Sequence, residues 1–512
     1  MRTGRKWLAA VCAAAIAGTA AAAGPDCFTV VVGSAASATG AVMLAHNEDD
    51  RPPQILDLHA VPRLQHEPGE LIRLQGGGTV EQVEETAAFV WFELAGQTFA
   101  DCFLNEHGVT VVSNQCQSRV EDADLTDGGI RYRLRRIVAE RAHTALEGVR
   151  IAARLVERFG YGDSGRTYTI ADPHEAWMLA VTLGRHWVAA RIPDDEVAVL
   201  ANTFTIGEVD LSDPGRFLGS ADLVAYARRN GWYDPSRDGA FHFARAYADR
   251  SAGVGLHSLP RWWFGVAFLS GTAPGMRNLP FSFRPAHPVR LTDLFALLRS
   301  HFEGTQFESL STYDRGNPHR NAIKRICSES TELGLVAELR SGLPPALGPV
   351  AWFAPRRPCV EPFVPVYAGV TAFPDGYAHR PWHQALRDHL GDDPGGYPPD
   401  AGHAWWAFAA RARRIDAGFA RLFPAVRTER DLFQGRVLQA RETFEATAIP
   451  LAERDPAAGA RAVTAFTGEW LERLWNAARA PLPRPVPDGS GRIEPLVRAT
   501  GQPEPATLEG SR

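Results

Sequence analysis

Residues 168–210 read Tyr168-Thr-Ile-Ala-Asp172-Pro-His-Glu175-Ala-Trp177-Met-Leu-Ala-Val-Thr-Leu-Gly184-Arg-His-Trp187-Val-Ala-Ala-Arg191-Ile-Pro-Asp-Asp195-Glu-Val-Ala-Val199-Leu-Ala-Asn202-Thr-Phe-Thr-Ile206-Gly-Glu208-Val-Asp210. Four apolar runs rich in β-branched and aromatic residues predict strands at about 166–171, 176–182, 186–191 and 196–203. Between them stand Asp172-Pro173, Gly184-Arg185 and Pro193-Asp194-Asp195, which is turn chemistry. Connections this short make hairpins, so the strands are expected to be antiparallel.

Working outward from that block, an amphipathic helix is predicted over about 130–158, with a run of arginines on its exposed side. Strands are expected before it at 87–94, 98–104 and 108–113, with Asn105–Gly108 as a hairpin turn. At the start, Phe28-Thr-Val-Val-Val-Gly33 reads as a buried strand, and Ala41–Ala45 as a second one. Beyond the block, 210–300 mixes short helices with Gly/Pro loops. Strand character returns near 322–339 and 348–367, and 401–480 is helical in pattern. Hairpins alternating with helical blocks predict an α+β fold rather than a doubly wound parallel sheet. No internal repeat is evident.

The 512 residues suffice for one large or two ordinary domains, and 45% are hydrophobic. The formal net charge of -5 argues against nucleic acid or anionic membrane as the main partner. Lys6 and Lys324 are the sole lysines, so lysine chemistry would have to use Lys324, and no P-loop pattern is present.

Residues 1–23 read as a signal peptide. Arg2, Arg5 and Lys6 precede an alanine-rich apolar run, and Ala21 and Ala23 suit an A-x-A cleavage site. The expected destination is periplasmic or secreted, with no stable membrane association after the signal is removed. Residues 24–26 would be a short propeptide, 27–480 the folded domain, and 481–512 a disordered Pro/Gly-rich tail.

Cys102, Cys116, Cys327 and Cys359 could pair as disulfides in an oxidising compartment or pack as small hydrophobes. Their spacing does not suggest a zinc site, and neither metal nor cofactor is expected.

Cys27 stands immediately before a strand. Removing Gly24-Pro25-Asp26 would make it the first residue, joining a thiol nucleophile to a free α-amine. An α-amine has a pKa of about 7.7–8.0, so near neutrality part of it is unprotonated and able to act as a base. The same thiol could attack the Asp26 carbonyl and release the propeptide.

At the end of the second strand stands Ala45-His46-Asn47-Glu48-Asp49-Asp50. With Cys27-Phe-Thr-Val-Val-Val-Gly33 and the 168–210 block, the chain resembles the PepD-type cysteine dipeptidases, N-terminal nucleophile hydrolases to which the secernins are related. Weaker similarity runs through Arg325-Ile-Cys327, Val360–Gly369 and His403–Phe408. The resemblance implies a four-layer αββα fold and hydrolysis of dipeptides without metal. It implies Cys27 as nucleophile and Asp49 as the motif aspartate that orients the α-amine. His46 stands where the family usually has arginine, which would make substrate positioning depend on protonation. By likeness to the wider superfamily, Asn202 and Asn114 would donate to the oxyanion, and Arg325 would contact substrate.

Two rivals share or lack that chemistry: an N-acyl amide hydrolase of the penicillin V or bile-salt type, and a relative without turnover. Gly162-Asp-Ser-Gly165 resembles the motif around a trypsin-like serine, but the matching histidine motif is missing, and a turn is expected there. Neither a His-Glu-x-x-His helix nor a Gly-x-Ser-x-Gly elbow occurs.

Overall fold

A computed structural model describes residues 27–50, 55–96, 101–249, 257–308, 317–319, 323–391 and 396–485. The expected signal peptide, the propeptide and the tail from residue 486 lie outside the described residues.

Two antiparallel sheets organise the chain. One has seven strands, in the spatial order Ser282–Phe283, Val197–Leu200, Phe28–Val32, Val42–Asp49, Thr331–Leu339, Pro349–Pro355 and Val364–Tyr367. The other has eight, in the order Phe217–Gly219, Trp187–Arg191, Ala176–Gly184, Tyr161–Ala171, Thr110–Gln115, Cys102–Asn105, Phe89–Leu94 and Leu56–Val61. The 168–210 block supplies consecutive hairpins of the larger sheet and then crosses to the smaller one with Val197–Leu200. The mixed α+β class expected from the sequence is observed.

Alternation explains the packing. Within Phe89–Leu94, Phe89 and Trp91 turn toward the helices Arg133–Arg141 and Ala145–Phe159, while Val90, Phe92 and Leu94 join the core shared with the seven-stranded sheet. Among helices packing on the smaller sheet are Leu259–Ser270, Leu291–Leu298 and Pro456–Arg479.

Several boundaries differ from expectation. The helix expected over 130–158 is two helices, broken at Ala142-His143-Thr144, because the Thr144 side chain accepts from Glu147 N at 3.1 Å and caps a new start. Gly162–Gly165 is not a turn: it lies inside the strand Tyr161–Ala171, at a register shift between Tyr161 and Gly165. The second strand, expected over Ala41–Ala45, runs on to Asp49, so the His46–Asp49 motif expected at its end lies within it. Strand structure near 322–339 begins only at Thr331.

Gly265 sets how closely one helix approaches the sheet. A Cβ there would meet Val199 Cγ1 at 2.7 Å and Phe28 Cζ at 3.1 Å. Glycine costs about 1 kcal/mol against alanine inside a helix. Here that cost permits the Leu259–Ser270 helix to lie directly on the strand that follows Cys27.

Candidate active site

Strand pairing gathers the site at one end of the seven-stranded sheet. Phe28 pairs with Asn47, and Thr29 pairs with both His46 and Leu200. The chain before Phe28, the end of the Val42–Asp49 strand and the residues after Leu200 therefore meet. Asn114 and Gln115 arrive from the larger sheet.

The Cys27 thiol is buried and donates to Glu48 Oε1 at 2.8 Å. Burial, and next the Glu48 carboxylate, push this thiol well above its ordinary pKa. It is held neutral, so nucleophilic attack requires a base to take its proton as the new bond forms.

A hydrogen-bonded chain runs inward from there. Glu48 Oε2 lies 3.0 Å from His46 Nε2, and His46 Nδ1 lies 2.7 Å from Thr29 Oγ1. Thr29 Oγ1 donates to Asn114 Oδ1 at 2.6 Å. A hydroxyl has one hydrogen, so Thr29 accepts from His46 and Nδ1 carries a proton. The His46–Glu48 contact then holds one further proton, as imidazolium and carboxylate or as imidazole and carboxylic acid.

Arg261 closes the other side. Its Nη1 donates to Cys27 O at 2.9 Å, and both Nη atoms lie 3.3 Å from Asn202 Oδ1. Asn202 donates from Nδ2 to Gln115 O at 3.1 Å. Its φ of 55° is left-handed, a conformation asparagine tolerates better than most residues. Asn114 Nδ2 is buried with no hydrogen-bond partner among the described residues.

Asp49 is buried, with Ser328 Oγ donating to its Oδ2 at 3.3 Å and Lys324 Nζ at 3.6 Å. Asn47 Nδ2 donates to Leu298 O at 2.9 Å and Ile326 O at 2.8 Å, anchoring the loop that carries Lys324 and Ser328.

The structure thus assembles Cys27, His46, Asp49, Asn114 and Asn202 at one end of the sheets. Arg325 is engaged at the Phe302–Phe307 turn: it donates from Nη1 to Phe307 O at 2.8 Å and lies over the Phe302 ring. Sequence reasoning missed Glu48, Thr29 and Arg261. Period-two alternation through Asp49 would have placed Glu48 beside His46, on the face opposite Asn47. Arg261 carries no local motif; an arginine within Leu259-Pro-Arg-Trp-Trp-Phe264 was the single hint.

The model of Peptidase family C69 matches residues 97–387, more than half of the chain, starting beyond Cys27, His46 and Asp49. A probable dipeptidase of Salmonella dublin is 26% identical over 365 residues, covering 68% of this chain and 82% of its own. Dipeptidase A of Lactobacillus helveticus is 22% identical over 394 residues, covering 72% and 82% respectively. A mutant conjugated bile acid hydrolase from Clostridium perfringens superposes over 64% of this chain and 89% of its own, at 11% identity and a TM-score of 0.28, too loosely to carry an argument.

Proposed function

The chain belongs to peptidase family C69, and from that premise we propose that it is an exported cysteine dipeptidase whose nucleophile is Cys27, exposed as the first residue of the mature enzyme. The observation that carries the reading is the Cys27 thiol donating to Glu48 at the strand end where Asp49, Asn114 and Asn202 converge. Helices on the outer face of the larger sheet and against the smaller one support a four-layer αββα N-terminal nucleophile fold.

In the uncleaved chain the Cys27 nitrogen is an amide and cannot act as a base. Glu48 Oε1 then takes the thiol proton while Sγ attacks the Asp26 carbonyl. A thioester forms as the Asp26–Cys27 bond breaks, the released nitrogen takes up a proton, and water cleaves the thioester to an Asp26 carboxylate and the thiol.

With a dipeptide the freed α-amine accepts the thiol proton and returns it to the leaving amine. Asn202 and Asn114 donate to the tetrahedral oxyanion, and a second water clears the acyl-enzyme. Asp49 stabilises the protonated amine, with Lys324 and Ser328 fixing its carboxylate. His46 acts through Glu48 rather than as the pH-independent cation that arginine would be.

The test is the intact mass and N-terminal sequence of the wild type beside Cys27→Ala, with hydrolysis of dipeptides and of N-acyl amino acids. A wild-type chain starting at Cys27 that cleaves dipeptides, with the variant keeping Gly24-Pro25-Asp26 and inactive, is the expected result. A chain starting at Gly24 would leave Cys27 without a free amine and end this mechanism. Preference for N-acyl amides would move the substrate to that class.

A further inference from the structure

A second cluster of reactive side chains lies away from Cys27. His301, His319, Cys327 and Cys359 are all buried, and one ligand atom from each falls within 4.8 Å of the others. His301 Nε2 is 3.1 Å from His319 Nε2, which is 3.3 Å from Cys359 Sγ. Zinc bonds of about 2.0–2.1 Å to nitrogen and about 2.3 Å to sulfur in a tetrahedron give edges of about 3.3 Å between nitrogens and about 3.5 Å from nitrogen to sulfur. The observed spacings are close to those edges.

The outer nitrogens indicate which atoms face inward. His301 Nδ1 lies 3.0 Å from Glu303 Oε1, and His319 Nδ1 lies 3.0 Å from Asp416 Oδ1. A carboxylate at Nδ1 favours a proton there and a lone pair on Nε2, the arrangement seen around histidines that ligate metal; Arg357 Nη1, which pairs with the same Asp416, also lies 3.3 Å from His319 Nδ1. Two such nitrogens facing each other at 3.1 Å, with two sulfurs beside them, need either a shared proton or a metal ion between them. Phe419 stands edge-on to both imidazoles, and Ile415, Phe423 and Val426 pack around the cysteines.

We propose that His301, His319, Cys327 and Cys359 bind one structural zinc ion. Four protein ligands leave no position for water, so the site is structural rather than hydrolytic. Two thiolates balance the charge of the ion. The donors come from four separate segments, which is why the cysteine spacing alone gave no sign of them. Binding ties the loop after the helix Leu291–Leu298 to the segment that enters the strand Thr331–Leu339. That segment carries Ile326 O, Lys324 and Ser328, which brace Asn47 and Asp49. The zinc site thereby supports one wall of the catalytic site from behind.

The experiment is elemental analysis of the full chain, purified without chelators or a metal-affinity step, beside Cys359→Ser and His301→Ala. One equivalent of zinc in the wild type, lost from both variants on dialysis, is expected. Cobalt exchanged into the wild type should give the intense visible bands of a tetrahedral thiolate site. Its thiols at Cys327 and Cys359 should resist alkylation until the metal is released. These two measurements need no variant, so misfolding of the variants does not remove the test. A zinc-free wild type with Cys327 and Cys359 joined as a disulfide, or with both reacting freely, would overturn the proposal, as would zinc retained by the folded variants.

Discussion

Cys27 Sγ donates to Glu48 Oε1 at 2.8 Å, and the second oxygen of the same carboxylate is 3.0 Å from His46 Nε2. The carboxylate opposes a resting thiolate, and in the proposed processing step it receives the thiol proton. Glu48→Gln separates these effects. Release of the chain beginning at Cys27 should slow by roughly 100-fold or more, the size of a lost general base. Alkylation of Cys27 by iodoacetamide in the variant should rise at lower pH than in wild type, because the opposing charge is gone. Unchanged processing would remove Glu48 from the reaction.

Thr29 joins the two sheets through His46 and Asn114. Thr29→Val keeps the shape and strands His46 Nδ1 without its acceptor. Leaving a buried polar group unsatisfied costs roughly 1–3 kcal/mol. A urea melt should show a loss of that size, and activity should fall through kcat as Asn114 loses its tether. A melt identical to wild type would mean that the inter-sheet contact does not hold the site.

Much of this was legible in the sequence, for identifiable reasons. The strands of 168–203 follow from turn residues at fixed positions, and the pairing of the Cys27 strand with the His46 strand follows from their adjacency. What failed was local competition. Thr144 offered the backbone a cap in the middle of a helical pattern. Gly165, at φ 135°, let a turn-like tetrapeptide pass as a bulge. Arg261 and the His301–Cys359 cluster depend on contacts between distant segments, which no local period encodes.

Gly265 and Arg261 share one helix, and the first sets where the second lies. Gly265→Ala must push the helix off Val199 and Phe28, drawing Arg261 from Cys27 O and Asn202 Oδ1. Arg261→Lys keeps the charge but cannot span both acceptors with a planar fork. Each variant should lower kcat by about 100-fold, as when an oxyanion donor is displaced, with a smaller change in KM. A loss confined to KM would assign Arg261 to substrate binding alone.

A buried network around Glu93 should set the alkaline limit of stability. Burial alone would depress the His389 pKa, but Asp101 at 2.8 Å and Glu93 at 2.6 Å outweigh it and raise it from 6.5 to about 9. Burial likewise opposes ionisation of Glu93 and Asp57, yet His389 and His59 hold the first low, and His379 and His403 the second. A raised histidine contributes in full below its unfolded value of 6.5 and loses that contribution as pH climbs through about 9. The lowered carboxylates contribute above their unfolded values of 4.5 and 3.8, and lose that contribution as pH falls. Thermal melts from pH 4 to 10 should therefore peak between about 5 and 7. His389→Gln should flatten the alkaline side, which is worth on the order of 3 kcal/mol. An alkaline decline unchanged in the variant would place the controlling proton on another group.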